Sequence, residues 1–429
     1  MRRLSLLGFA LVTACWSEAD FRARCEAAGN CLVGDAGSTV DAGSAVDAGS
    51  AVDAGSAVDA GSAVDAGVAD AGLLADGGVT WAAVAAELFD TVNTDSAFDV
   101  LVFPVPTPSK SLGGVLTPRG TVVCIPSQGH VLEVMPDGGV SSLAFVDGGL
   151  DLWQGGVLLP DGRVFGFPHS QSQGFPLLLT GDRPLAQAPA VRGQKPFTEG
   201  GVVTTGADVI MMPAAYDQFT VWSNGRHTEV RVDAGVAPSS TAFFAGAVLQ
   251  ASGTTAIAVP RSATAVWQVS TSSATPLAPL TGHAGGLLLP NGAALLMPVD
   301  GNRPAALIYE SGAISSAGPS THGYFSAAWS TNGFGYAIQT VAASGSYLTI
   351  TRGGVVTESA LPSNAWLPDG GAVATSSVLS DTSRFGLVAF PDGRLVSCPY
   401  ADARLVFLVP NGRRTVPSWV VLSPWLNKW

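Results

Sequence analysis

The chain repeats one short unit along most of its length, and that repetition narrows the possible folds more than any other feature. Gly-Gly-Val-Leu-Thr-Pro-Arg-Gly at 113–120 returns as Gly-Gly-Val-Leu-Leu-Pro-Asp-Gly at 155–162, Gly-Gly-Leu-Leu-Leu-Pro-Asn-Gly at 285–292 and Gly-Leu-Val-Ala-Phe-Pro-Asp-Gly at 386–393. Three weaker copies end at Gly206, Gly253 and Gly333. The turn glycines Gly120, Gly162, Gly206, Gly253, Gly292, Gly333 and Gly393 are separated by 42, 44, 47, 39, 41 and 60 residues. A unit of about 40–45 residues is one propeller blade, which buries its sheet only against further copies of itself. Each unit reads as four strands. An apolar strand meets a Pro-Asp-Gly turn, where Pro presets φ and Gly takes the positive φ. The second strand stops at a proline (Pro126, Pro168, Pro213, Pro260, Pro298 and Pro399, with Gln339 in the remaining copy), as suits a residue with no N–H for the ladder. A third strand such as His130 to Met135 and an outer strand complete the unit. The near-continuous apolar runs suit sheets packed on both faces. The expected fold is therefore all-β, a β-propeller of seven blades. Six or eight remain alternatives, because Leu367-Pro368-Asp369-Gly370-Gly371 in the last interval also reads as a hairpin. A linear β-solenoid is the competing arrangement.

Composition removes other classes. Hydrophobic residues make up 47% and charged residues 13%, against about 25% charged in an average globular protein. The apolar residues come in short runs, and past the N-terminus none reaches the roughly 20 residues of a membrane helix. The net charge is −12, the only lysines are Lys110, Lys195 and Lys428, and the arginines are scattered. A phosphate-binding surface needs clustered cations, so nucleic acid is not expected as a partner.

The first residues carry an address. Arg2 and Arg3 precede the apolar run Leu4 to Val12, which leads into Leu11-Val12-Thr13-Ala14-Cys15. This resembles the lipobox of bacterial lipoproteins, which implies export, cleavage before Cys15 and lipidation of that cysteine. Several acyl chains, each adding about 0.8 kcal/mol per buried CH₂, give stable anchoring. Trp16 stands where an Asp tends to retain such proteins in the inner membrane, so the resemblance implies the outer membrane. Cys25 and Cys31 frame a short loop and are expected to form a disulfide in an oxidising compartment, with free thiols as the alternative. The hexapeptide Asp-Ala-Gly-Ser-Ala-Val then recurs, with aspartates at Asp35, Asp41, Asp47, Asp53, Asp59 and Asp65. It has too little apolar surface to offset its ordering entropy, and one carboxylate per repeat falls short of the six to eight oxygens calcium takes. The expectation is a disordered stalk. The resulting organisation is a signal peptide at 1–14, anchor and flexible linker at 15–78, a short helical lead-in at 79–96 with Trp81, Val84 and Leu88 at helical spacing, and the propeller at 97–429.

Over residues 113–415 the strand–Pro-Asp-Gly–strand unit resembles the broad NHL-like class of propellers. That resemblance implies architecture. The Glu, Asn and Asp metal set of gluconolactonase-like members cannot be placed on this chain, so no metal or cofactor is expected. Cys124 and Cys398 lie in the second strands of the first and last copies, which become neighbours when the circle closes. Packed sheets lie about 10 Å apart, whereas a disulfide wants Cα atoms within about 6.8 Å. Two buried thiols are therefore the expectation, and a bridge is the alternative.

No linear catalytic motif is present: no Gly-x-Ser-x-Gly, His-Glu-x-x-His, Cys-x-x-Cys or Walker loop. The histidines are His130, His169, His227, His283 and His322, none paired at metal-ligand spacing. Position within the repeat says more. Two residues before the first strand stand Trp153, Phe244, His283, Tyr324 and Arg384, with Ser111 and Thr198 in the other copies. Just after the second strand stand His130, His169, Tyr216, Asp217, Arg261, Asp300, Arg303, Tyr400 and Asp402. All belong to one face of a propeller. Planar side chains with Arg and Asp at a channel mouth suit sugar or peptide recognition. The plainer reading is packing aromatics and polar loop ends. The functional expectation is an exported, lipid-anchored, non-catalytic binding or scaffold module for a protein, peptide or glycan. The alternative is a hydrolase or lyase with its site in the central channel.

Overall fold

The repeated turn folds as its residues dictate. In the second blade the Gly162 N–H donates to the Leu159 carbonyl at 2.9 Å and the Leu159 N–H to the Arg163 carbonyl at 2.7 Å. Gly162 sits at φ 81°, and Asp161 Oδ1 accepts from the Arg163 N–H at 3.0 Å. The same side-chain contact recurs at Asp137, Asn291, Asp369 and Asp392, which is why the middle residue is Asp or Asn. The third copy departs from the sequence reading by one position. The left-handed residue there is Ala207, at φ 68°, and its N–H makes the turn bond to Thr204. Gly206 is not the turn glycine, and Ala207 holds a conformation that costs an L-residue about 1–2 kcal/mol.

A computed structural model describes residues 79–90, 93–106, 109–146, 153–169, 177–180, 183–185, 198–214, 218–231, 244–339, 345–376, 386–400 and 404–426. The hairpins extend into seven sheets. Their innermost strands are Ser109–Leu116, Trp153–Leu158, Thr198–Val203, Phe244–Leu249, His283–Leu288, Ala328–Trp329 and Val388–Ala389. Strands run outward from each in chain order, and neighbouring sheets pack through their inner strands. This is a seven-bladed propeller. In the first blade, strands two and three run on without a break as Val122–Val134. Its first part pairs with Ser109–Leu116 and its second with Val140–Val146.

The glycine pair and the proline of the repeat both serve blade-to-blade contact. Where the inner strands converge, backbone meets backbone. A Cβ on Gly386 would lie 3.1 Å from the Gly113 Cα, and one on Gly285 would lie 2.1 Å from the Phe325 carbonyl oxygen. The inner strands also carry a register shift just before or within the glycine pair, at Ser111/Gly114, Trp153/Gly156 and Ala284/Gly286. Gly155 and Gly285 take positive φ there, as bulges of this kind require. The strand-end prolines pair across from the first inner-strand residue of their own blade, as Pro168 does with Trp153 and Pro298 with His283. Their carbonyls bond the next blade. Pro298 accepts from the Tyr324 N–H at 2.8 Å, Pro399 from the Ser111 N–H at 2.7 Å, and Pro168 from the Thr198 hydroxyl.

The circle is closed in two ways. Strand β1 (Phe98–Pro104) pairs antiparallel with Arg404–Pro410 over seven residues, so the N-terminal strand completes the last blade. The hairpin Asn364–Trp366/Ala372–Ala374 adds to the outside of β1. That hairpin fills the 60-residue interval, and it widens the seventh sheet to six strands where an eighth blade was an alternative. Cys124 and Cys398 form a disulfide, with Cα atoms 5.8 Å apart. This corrects the expectation of two thiols. The 10 Å spacing belongs to sheets separated by side chains, and here a glycine stands between them: a Cβ on Gly114 would sit 2.8 Å from Cys398 Sγ.

One end of the channel is plugged. Helix α1 (Trp81–Phe89) is capped by Thr80, whose hydroxyl accepts from the Ala83 N–H. It buries Trp81, Val84, Leu88 and Phe89 under the turns of blades 5 and 6. The Trp81 indole N–H bonds the Leu289 carbonyl, and Phe89 packs edge-on against Trp329 with centroids 4.7 Å apart. Helix α2 (Ser418–Val421) lies beside it, and Trp425 bonds the Gln250 carbonyl in the blade 4 turn. Arg414 pairs with Asp90 and bonds the Glu87 carbonyl. At the opposite end lie the described residues that follow the second strands of blades 4 and 5, among them Arg261 and Arg303.

Candidate binding site

The bulge decides which residue of each inner strand faces the axis. The first residues are packed between blades: Trp153, Thr198, Phe244, His283 and Tyr324 are all buried. The next residues are Gln154, Glu199 and Phe325, and two of these, Glu199 and Phe325, meet Arg261. Arg261, which follows the second strand of blade 4, marks the place. Its Nη1 donates to Glu199 Oε2 of blade 3 at 3.0 Å, and its guanidinium lies over the Phe325 ring of blade 6, 5.3 Å from the centroid. Blades 4 and 6 are not neighbours, so this contact crosses the mouth. Ala245 and Ala284 occupy the same position in the inner strands of blades 4 and 5 and leave room for it. Glu199 has a side chain 9% exposed and Arg261 one 39% exposed. Burial pushes the Glu199 carboxyl above its usual range, and Arg261 only partly opposes this.

The residues singled out from sequence fare unevenly. Trp153, His283 and Tyr324 are buried, at 3%, 2% and 0% exposure. The His283 ring nitrogens face the Thr281 and Pro304 carbonyls at 3.0 and 3.1 Å, and burial lowers its pKa. Arg303 is on the open face but is tied to the Thr281 carbonyl and beside Asp300 at 3.6 Å. His169 and Tyr400 follow the strand-end prolines and are partly buried. Cys15, Cys25, Cys31, Tyr216, Asp217, Arg384 and Asp402 lie outside the described residues. Gln154, Glu199 and Phe325 were missed by one position each. For Gln154 and Glu199 the glycine pair that follows was the available signal, since it marks a bulge that resets the alternation of faces; Phe325 is followed by Ser326 and Ala327 and carries no such mark.

Among the described residues a histidine–carboxylate pair forms in blade 6, where the outer strand Val356–Ala360 meets the loop that enters the blade. His322 Nδ1 is 2.5 Å from Glu358 Oε1, and the same oxygen accepts from the Tyr324 hydroxyl at 2.7 Å. Oε2 takes the Thr321 N–H at 2.7 Å and the Thr321 hydroxyl at 2.8 Å. Burial alone would raise the Glu358 pKa, but these bonds hold it below the usual range. Burial and the adjacent carboxylate push the Tyr324 hydroxyl up. The carboxylate is engaged on both oxygens, and its geometry is that of an anchor for the loop at 319–324. No group of three metal-ligating side chains is present among the described residues.

No family model and no curated protein matches the chain. Solved structures do. A streptogramin B lyase aligns with TM-score 0.58 at 12% identity, over 73% of this chain and 98% of its own. A catalytically inactive virginiamycin B lyase from Staphylococcus aureus, determined with quinupristin, gives 0.59 at 11% identity, over 73% and 99%. The hydrazine synthase of Kuenenia stuttgartiensis gives 0.50 at 11% identity, over 72% and 97%. Likeness at this identity shows the propeller fold alone.

Proposed function

We propose that this chain is an exported lipoprotein, anchored through Cys15 at the outer membrane and held off it by residues 15–78, whose propeller is a non-catalytic binding module for a protein, peptide or glycan. The ligand sits at the open channel mouth. The observation that carries this reading is the convergence of Glu199, Arg261 and Phe325 from three blades onto one polar, partly exposed patch. An aromatic surface beside a few placed polar groups is the usual composition of a small recognition site. A catalytic reading needs an acid or base poised toward substrate, and Glu358, the carboxylate of the His322 pair, is already taken up by four donors. The lyase likeness adds nothing to it at 11–12% identity.

A photocrosslinking amino acid placed at Phe325 tests the location. In the producing cell it is expected to trap a ligand, with the adduct lost when Arg261→Ala is added. The same group at Tyr309, on an exposed strand end of blade 5, is expected to trap nothing comparable. Adducts at Tyr309 with none at Phe325 would remove the channel mouth as the binding surface.

A further inference from the structure

The bridge between Cys124 and Cys398 lies where the closed ring seals it off. The two residues are 0% and 3% exposed. Their strand neighbours Val123, Ile125, Val396 and Ser397 are buried as well. Gly114 of the blade 1 inner strand lies so near that a single added Cβ would stand 2.8 Å from Cys398 Sγ. At the strand end, the Ser111 N–H of blade 1 donates to the Pro399 carbonyl of blade 7 at 2.7 Å, which fastens the seam one residue from Cys398. The cavity lined by Gly114, Leu116, Trp329, Val388 and Val421 has a volume of about 20 Å³, room for one water. A thiol reagent, which brings its own sulfur and carbon against the bridge, does not fit.

The two cysteines are 274 residues apart in sequence, and only closure brings them together. The oxidant therefore has to act earlier. Bridge formation is an exchange in two steps. One cysteine thiolate attacks a sulfur of a disulfide-bearing donor, R–S–S–R, joins to it and expels one R–S⁻. The second cysteine thiolate attacks the cysteine sulfur of that mixed disulfide, forms the bridge and expels the other R–S⁻. The cysteines lose two electrons, the donor gains them, and the two cysteine protons end on the two R–SH. The intermediate carries R on a sulfur for which the closed ring leaves no room. R leaves as blades 1 and 7 meet, and the pairing of β1 with Arg404–Pro410, itself beside the strand Leu395–Ser397, buries the finished bridge. We propose that the chain is the substrate of a disulfide-donating oxidant that works on the open ring, before β1 joins the last blade, and that closure then locks the bridge against reductants. Such a donor belongs to an oxidising compartment, which agrees with the export proposed above.

Two experiments test this. In the first, the detergent-solubilised full chain is treated with dithiothreitol, and the appearance of thiol at Cys124 and Cys398 is followed by alkylation and peptide mapping. Reduction in native buffer is expected to be slower than in denaturant by more than about tenfold, since a packed seam must open first. Equal rates would mean that the closed ring leaves the bridge within reach, and would overturn the proposal. In the second, the full chain carrying Cys398→Ala is unfolded, treated with glutathione disulfide so that Cys124 bears glutathione, and refolded. It is compared with Cys124→Ala/Cys398→Ala treated in the same way, which bears glutathione only on its N-terminal cysteines. The double variant is expected to melt cooperatively. The Cys124 adduct is expected to regain that melt only after dithiothreitol removes the glutathione. An adduct that melts as the double variant does would show that the closed ring has room for the donor, and would overturn the proposal. The reduction experiment needs no variant and decides alone if the substituted chains fail to fold.

Discussion

Replacing Cys124 and Cys398 together with alanine is expected to lower the stability of the propeller by about 2–5 kcal/mol. The bridge joins residues 274 apart in sequence, so it closes nearly the whole ring in the unfolded chain. Loop-closure entropy grows only slowly with length, which sets the upper end of that range. Both sulfurs are also buried, at 0% and 3% residue exposure, so the variant loses packing as well as the cross-link. The fold itself is expected to survive, because β1 still pairs with Arg404–Pro410 over seven residues. The measurement is the denaturant midpoint of parent and variant at unchanged slope, each with and without reductant. Reductant should move the unfolded parent toward the variant and leave the variant where it was. Coincident midpoints for oxidised parent and variant would mean that the bridge contributes nothing to closure.

Removal of β1 should have a larger effect. A chain beginning at residue 79 keeps α1 and β1 and is expected to melt as the full chain does. A chain beginning at residue 105 loses the closing strand. Phe98, Val100 and Val102 are 5%, 0% and 1% exposed, and Phe98 packs edge-on against Tyr336 and Tyr347, with centroids 5.5 and 4.6 Å away. Burying three such side chains stabilises by about 5–9 kcal/mol, as much as a whole domain commonly has. The strand Arg404–Pro410 would also be left with an unpaired apolar edge, which invites aggregation. The truncated chain is therefore expected to be insoluble. Because that truncation also removes α1, Val100→Asp in the 79–429 chain separates the two. A carboxylate with no partner at a fully buried position of β1 should unfold it. Normal melting of that variant would show that the ring does not depend on this strand.

These results bear on what the sequence makes visible. Hairpin chemistry is local: Pro fixes φ in four of the turns, Asp or Asn accepts the N–H two residues on in four, and a left-handed residue closes all seven, Gly in six and Ala207 in the other. Seven blades could be counted from that alone. Closure is not local. Nothing in Phe98–Pro104 names Arg404–Pro410 as its partner across some 300 residues, and the hairpin at 364–374 looked like a further blade because its turn has the same chemistry. The disulfide is hidden for a related reason. The average sheet spacing does not hold where Gly113, Gly114 and Gly386 remove the side chains that create it. The proposed binding surface lies one residue away from the positions that the sequence singles out. Trp153, His283 and Tyr324 are conspicuous as aromatic or titratable residues at repeat-equivalent positions, and all three are buried. At the next position, the plainer Glu199 and Phe325 are the ones that meet Arg261 across the blades. Glu358 and His322, 36 residues apart, meet only because one blade's outer strand lies beside the loop entering its own inner strand.

The first and last repeats lie against each other, and the convergence of Glu199, Arg261 and Phe325 follows from the closed circle that this makes. Peptide mapping of the unreduced, alkylated protein tests this most directly. A single pair of peptides containing Cys124 and Cys398, linked to each other and separating on reduction, is the predicted result. Alkylated thiol at both positions, or either cysteine joined to Cys25 or Cys31, would contradict it.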